Sequence, residues 1–188
     1  FGTLLARKKQ GWVFFAAFLV MFVGFLAMVY HAEQAGNPLL TQAGADQQPS
    51  ALQSGGNMEG KELRFGIADT ALFVATTTGA TTGAVNAMHS SLTPAGGVVP
   101  LVNMMLGEVI FGGVGAGLYG MLLFVLLTVF LAGLMVGRTP EYLGKKLDGD
   151  DMRLVILGII LPSLFVLLGA GISLVVPAGA SSLSASGP

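Results

Sequence analysis

Hydrophobic positions along this chain gather into long blocks, and the polar positions between them set the order of elements. Residues 12–30 form a 19-residue apolar run with Trp12 and Tyr30 at its ends. That length suits a membrane-crossing helix, which needs about 20 residues, and amphipathic rings favour its two interfaces. Residues 31–64 are polar and rich in Gly, Gln, Asn and Pro. They predict an exposed connection, with the 43–56 stretch as its most mobile part. The next apolar cluster, at 71–75, is short. A helix of about 11 residues there spans only about 16 Å, roughly half a bilayer, with Asp69 placed to complement its N-terminus. Thr76, Thr77, Thr78, Gly79, Ala80, Thr81, Thr82 and Gly83 follow, then His89, Ser90, Ser91 and Pro94. This pattern predicts a re-entrant segment that goes in by a short helix and comes back by an extended loop. Residues 98–136 are too long for one straight span, and Gly107, Gly112, Gly113, Gly115 and Gly117 interrupt them. We read a broken helix with its break at 111–117. Residues 152–176 form a further span that Pro162 bends.

The chain therefore divides into a leading segment 1–10, a span 11–31, a connection 32–66, a re-entrant pore helix and loop 67–97, and a broken span 98–137. A loop 138–152, a last span 153–177 and a tail 178–188 complete it. The fold class is all-α and integral to the membrane, with three full spans and one re-entrant loop. Charge gives the orientation. Seven of the nine Lys and Arg residues lie before the first span or in 137–153, while Lys61 and Arg64 lie in the long connection. By the positive-inside rule the first two regions are cytoplasmic, and the connection, loop mouth and tail are external.

Composition agrees. Apolar residues make up 53% of the chain, charged residues 10%, and mean hydropathy is +0.77; soluble domains carry about 25% charged residues. A net charge of −1 offers no basic surface, so lipid rather than nucleic acid is the expected surroundings. No cysteine is present, which removes disulfides and thiolate metal sites. Phe1 at the start and the Ser-Leu-Ser-Ala-Ser-Gly-Pro end read as a fragment of something longer, and no signal peptide is visible.

Between Asp69 and Arg138 the single formally charged residue is Glu108. Small hydroxyl residues and glycines in such a segment ask for irregular backbone, which a bilayer tolerates only when it is packed in protein or lines a watery cavity. The C-terminal end of the short helix points partial negative charge at that cavity, which suits a cation. Carbonyls of Thr81, Thr82, Gly83, Ala84 and Val85 form a candidate ligand column that replaces a hydration shell, centred on Thr82 and Gly83. Thr hydroxyls add ligands, and Gly83 permits backbone angles that a Cβ resists. The competing account is helix packing, since Gly79 and Gly83, Gly113 and Gly117, and Gly133 and Gly137 all have GxxxG spacing. One loop cannot enclose an ion, so about four copies are needed, from subunits or from internal repeats.

Four stretches carry a family resemblance. They are Asn57-Met58-Glu59-Gly60-Lys61-Glu62, then Thr81 to His89, then the glycine-rich run from Gly107 to Gly120, then Gly137-Arg138-Thr139-Pro140-Glu141-Tyr142-Leu143-Gly144-Lys145-Lys146. The chain resembles the potassium-binding subunit of Kdp-type potassium-transporting ATPases over nearly its whole length. That family is similar to transporters built from four membrane–pore–membrane repeats, of which this chain would hold the third and the first helix of the fourth. The resemblance implies that Gly83 is a filter glycine. It implies that Glu108, Gly112, Gly113, Gly115 and Gly117 belong to a gating or tunnel-lining element below the filter. It also implies that Arg138, near the cytoplasmic side, discourages leak. A bound potassium ion, a phosphorylating ATP-hydrolysing partner, small accessory membrane subunits and a bacterial inner membrane are implied with it. Thr81 and Thr82 stand where the family often has Ser or Cys, and Ser90 where it often has Asp.

Other motifs weigh less. Gly115-Ala116-Gly117-Leu118-Tyr119-Gly120 matches GxGxxG but lies in a 29-residue charge-free run, 109–137, rather than in a strand–turn–helix unit. Glu108 is costly in a bilayer and so is read as functional, facing the pathway, or as an interfacial or structurally paired carboxylate. His89 is a pH-sensitive mouth residue or, on the residues alone, an anchor that hydrogen-bonds the returning loop. Asp148, Asp150 and Asp151 read as a solvated loop rather than a calcium site. No catalytic residue set is found. The remaining alternatives are a pore-loop subunit of a passive tetrameric cation channel and a structural membrane scaffold.

Overall fold

The computed structural model describes residues 1–113 and 116–181, and their regular structure is almost entirely helical. In chain order the elements are α1 (Lys8–Gln34), α2 (Pro38–Gln42), α3 (Gly66–Gly79), a single 3₁₀ turn (His89–Ser91), α4 (Pro94–Met105), α5 (Ala116–Val136), a two-stranded hairpin of β1 (Glu141–Tyr142) and β2 (Lys145–Lys146), α6 (Gly149–Val175) and α7 (Pro177–Ser181). Helices α1, α5 and α6 are each long and apolar enough to cross a membrane. The chain forms two compact units, one over residues 1–102 and one from 103 onward.

The first unit is built on α1, α3 and the start of α4. Val29, Ala71, Val74 and Val99 are fully buried, and Phe25, Leu26 and Leu92 pack against them. Along α3 the buried positions are Ile67, Thr70, Ala71, Val74, Ala75, Thr77 and Thr78, a stripe at helical spacing. Each buried valine contributes about 1.5–3 kcal/mol relative to exposure. Thr70 and Thr78 sit in this apolar stripe without penalty because their hydroxyls donate to the carbonyls of Gly66 and Val74 one turn back, at 2.6 and 2.8 Å. At 14 residues α3 is about 21 Å long, still short of the roughly 30 Å hydrocarbon core of a bilayer.

In the second unit α5 packs on α6, and the hairpin closes their connection through the register Glu141 to Lys146 and Tyr142 to Lys145. Apart from Gly117, Met152 and Val155 these two helices bury almost nothing within the chain. A helix that is apolar all round and exposed belongs in lipid or against further protein.

Two expectations need correction. The break lies between α4 and α5 and takes in 106–113 among the described residues, so Glu108 lies inside it and Gly117 sits in the first turn of α5. The cause is an earlier helix start: Thr93 caps α4, its Oγ1 accepting from Gly96 N at 3.3 Å, and Pro94 takes the first helical position. The long connection is also not simply exposed. Gly55, Gly56 and Asn57 are buried, the Lys61 side chain is fully buried, and the 43–56 stretch is tied down by Gln47, whose side chain bonds Asn37 N and O at 2.7 Å each.

Candidate functional site

Helix α3 ends in a Schellman-type closure that uses a threonine where glycine is usual. Thr82 N donates to Thr77 O at 3.0 Å, and Thr81 between them has φ +57°. A β-branched residue in the left-handed region is a strained backbone site. The sequence offered two glycines nearby, yet Gly79 is still helical and Gly83 has no positive φ. The expectation that Gly83 supplies an unusual backbone angle is therefore wrong; Thr81 supplies it. What Gly83 does provide is room, since a Cβ there would meet nothing within 4 Å.

Beyond Thr81 the chain leaves the helix and is irregular and exposed through Val85. The limb runs back to the entry side of α3, where Ala87 bridges Lys61 and Met88 N donates to Gly60 O at 3.1 Å. The lengths match, because an extended residue covers about 3.3 Å against 1.5 Å in a helix, so a few loop residues retrace α3. The buried Thr77 hydroxyl, 3% exposed as a residue, lies 2.9 Å from Thr82 O and 2.5 Å from Ala84 O. Its one proton serves one carbonyl at a time. Among the described residues no hydrogen bond reaches the carbonyls of Thr81, Gly83 and Val85. Of the five carbonyls singled out from the sequence, two are thus turned to the helix and three are left for another partner.

The outer end of the limb is held by a buried network that the sequence did not disclose. Glu33, in the last turn of α1, is 0% exposed. Its Oε2 takes Lys61 Nζ and Asn57 Nδ2, both at 2.8 Å. Its Oε1 takes Thr93 N at 2.8 Å and Thr93 Oγ1 at 2.7 Å. Asn57 Nδ2 also reaches Ser91 O at 2.9 Å. The signal available in the sequence was weak: a glutamate at the end of an apolar run, and a lysine in a polar stretch.

His89 lies at the limb's return. Burial lowers the pKa of its imidazole from the ordinary histidine value, which favours the neutral form. Its buried Nε2 has no hydrogen-bond partner among the described residues, so the expected anchoring hydrogen bond is not made by that atom.

In the second unit the break is made by consecutive left-handed residues, Gly107 at φ +76° and Glu108 at φ +55°, with Phe111 at φ +50° beyond them. Glu108 N donates to Asn103 O at 2.9 Å, and Ser163 Oγ of α6 donates to Met105 O at 2.7 Å. These bonds satisfy backbone where α4 stops. Glu108 is half-buried and forms no ion pair among the described residues. Gly112 and Gly117 touch backbone to backbone: a Cβ on Gly112 would lie 2.5 Å from Gly117 Cα and inside contact distance of Glu108 O. Gly113 lies in a bend and Gly115 lies outside the described residues. Arg138 is exposed just past α5, where Gly137 (φ +71°) closes the helix and Arg138 N donates to Gly133 O at 3.0 Å.

These positions settle several other readings. Gly79 and Gly83 share no helix, nor do Gly113 and Gly117, and Gly137 lies past the end of the helix that holds Gly133, so none of the GxxxG spacings forms a helix-packing face. Gly117, Leu118, Tyr119 and Gly120 of the GxGxxG match lie within α5, a helix long and apolar enough to cross a membrane. Asp148 is the N-cap of α6, Asp150 and Asp151 lie in its first turn where they complement its dipole, and Arg153 pairs with Asp150 at 3.0 Å. Among the described residues no cluster of His, Asp and Glu could hold a metal ion.

Comparison with known proteins gives consistent matches. Residues 1–188 match the family described as "Potassium-transporting ATPase A subunit". A protein of Delftia acidovorans named "Potassium-transporting ATPase potassium-binding subunit" is 63% identical over 188 residues, all of this chain and 33% of that protein. Proteins of the same name from Paracidovorax citrulli and Sorangium cellulosum are 55% and 53% identical, over 98% and 100% of this chain and 31% and 32% of theirs. The chain thus spans about a third of the length of the relatives it matches.

Proposed function

The chain belongs to the potassium-transporting ATPase A subunit family, and on that premise we propose that it supplies one potassium-selective pore loop to the ion-translocating subunit of an ATP-driven uptake complex in the bacterial inner membrane. The observation that carries this reading is the exposed, non-helical limb after a helix too short to span a bilayer, with the carbonyls of Thr81, Gly83 and Val85 left without partners among the described residues. Such oxygens replace water around a dehydrated monovalent cation. The hydroxyl of Thr82 adds a further donor atom, and the α3 C-terminus adds partial negative charge. Open space at Gly83 suits a site completed by further loops of the same kind. Relatives about three times as long leave room for those loops in one polypeptide, which favours internal repeats over a tetramer of separate passive-channel subunits. The partners are an ATP-hydrolysing, phosphorylated subunit, small accessory membrane subunits and lipid. This chain contributes no catalytic group.

The test is bound-ion density. Crystals of the full complex soaked in thallium are expected to show anomalous signal beside 81–85, and an empty loop rejects the assignment. Gly83→Asp in the same complex is expected to lower discrimination of potassium over sodium at least about tenfold, equivalent to about 1.4 kcal/mol. Unchanged ion competition counts against the loop.

Glu108, Gly112, Gly113, Gly115, Gly117 and Arg138 are assigned to the ion pathway and its gate. Glu108 attracts the cation and Arg138 repels it from uncoupled exit. In transport assays Arg138→Ala is expected to add potassium flux that persists without ATP, and Glu108→Gln to raise half-saturating potassium. Tight coupling in the first variant together with unaltered affinity in the second discards these roles.

A further inference from the structure

We propose that the buried Glu33–Lys61 ion pair is a positioning pair for the pore loop, setting where the outer end of the ion-binding limb sits and hence how well it discriminates between cations. The inference rests on the pore-loop reading and adds residues outside the loop to it.

The limb is short and exposed, so its geometry is decided at its two ends. The inner end is fixed covalently by α3 and by the Thr77 hydroxyl. The outer end is fixed by pairing with Gly60 and Lys61. Residues 57–61 have no helix or sheet of their own beyond that single bridge. Glu33 holds them at three points: its carboxylate takes Lys61 Nζ and Asn57 Nδ2, and its own carbonyl takes Asn57 N at 2.8 Å. The same carboxylate holds Thr93, the cap of α4, just after the loop has returned. One side chain at the end of α1 therefore locks the segment before α3 to the segment after the limb. Both oxygens are filled, each by two donors, and the whole cluster is dry: the Lys61 and Glu33 side chains are 0% and 1% exposed. A carboxylate in the last turn of a helix opposes the local dipole, so lysine is needed to balance it. Gly96 is part of the fit, since a Cβ there would run into Glu33 Oε1.

Neutralising both partners separates positioning from charge balance. In Glu33→Gln/Lys61→Met no charge is left buried and unpaired, and such replacements are often tolerated. The introduced glutamine still accepts from Thr93 through its oxygen, but its amide NH₂ faces the NH₂ of Asn57, so the side-chain hold on Asn57 and Lys61 is lost and residue 57 keeps only its main-chain bond to residue 33 and its side-chain bond to Ser91 O. In the full-length complex with its partner subunits, the double variant is expected to assemble. Half-saturating potassium should rise about tenfold and potassium-over-sodium discrimination should fall, with the maximal rate of potassium-stimulated ATP hydrolysis within about twofold of wild type. An assembled double variant with wild-type ion competition overturns the proposal, because a purely structural pair would leave competition alone. If the double variant does not assemble, Glu33→Asp keeps the charge and withdraws it by one methylene; a normal ion preference in that variant likewise overturns the proposal. Thallium signal in the wild-type loop distinguishes the two failures: signal with unaltered variants sinks the positioning pair alone, and no signal sinks the pore-loop reading beneath it.

Discussion

Gly112→Ala is expected to remove the assembled protein from the membrane almost completely, with accumulated complex falling at least about tenfold in quantitative blots of membranes expressing the full-length chain. The reason is contact between backbones. The methyl of alanine would overlap Glu108 O and come 2.5 Å from Gly117 Cα, and a Cβ on Gly117 would come 2.6 Å from Gly112 N and Cα. Neither neighbour is a flexible side-chain tip that could swing away. Relief requires the turn after α4 to move off the first turn of α5, and forced overpacking of this kind costs about 1–3 kcal/mol or more. That is a large share of a stability of about 5–15 kcal/mol. Gly149→Ala is the matched control in the same unit. Nothing lies within 4 Å of its added Cβ, and it sits at the start of α6, where alanine is a better helix former by about 1 kcal/mol. Equal levels of the two variants would show that the Gly112–Gly117 approach is not needed for folding.

The same glycines show what could be read from the sequence and what could not. Long apolar blocks specify spans because a bilayer demands internal satisfaction of every backbone group, so α1, α5 and α6 were legible from hydropathy alone. A helix too short to span and the polar return after it were legible for the same reason, although α3 runs 14 residues rather than about 11. The position of the break was not. It depends on where α4 starts, and that is fixed by Thr93 and Pro94, a start signal hidden in what reads as a polar turn. The strained position was also misplaced. Glycine near a turn suggests that glycine takes the positive φ, but here the helix runs through Gly79 and Thr81 takes it. Local strain is set by the tertiary hold on the limb, which no window of neighbouring residues records. Nor could the Glu33 cluster be found by spacing, since its members are brought together from positions 33, 57, 61 and 93. A polar stretch in sequence became a buried clamp because each of its donors found an acceptor.

Thr77→Val is expected to leave the complex assembled while degrading its ion preference. Valine keeps the β-branched shape, so the buried stripe of α3 remains filled and the helix keeps its packing. Only the hydroxyl is lost, and with it the hold on Thr82 O and Ala84 O. Both residues are exposed, so water can take over those carbonyls and the net cost in stability is about 1 kcal/mol. The geometric consequence is larger. Thr77 also accepts Thr82 N through its own carbonyl, so in the wild-type chain one residue restrains the limb by main chain and side chain together. With the hydroxyl gone, the carbonyls of Thr82 and Ala84 are free to rotate toward the proposed ion site. The spacing of Thr81, Gly83 and Val85 is then no longer imposed. Half-saturating potassium for ATP hydrolysis is expected to rise about tenfold or more, and sodium to compete where it did not before. Thr77→Ser restores the hydroxyl and is expected to recover most of the preference. A serine variant as impaired as the valine variant would assign the loss to packing, and a valine variant with unchanged competition would show that the limb holds its carbonyls without the strut.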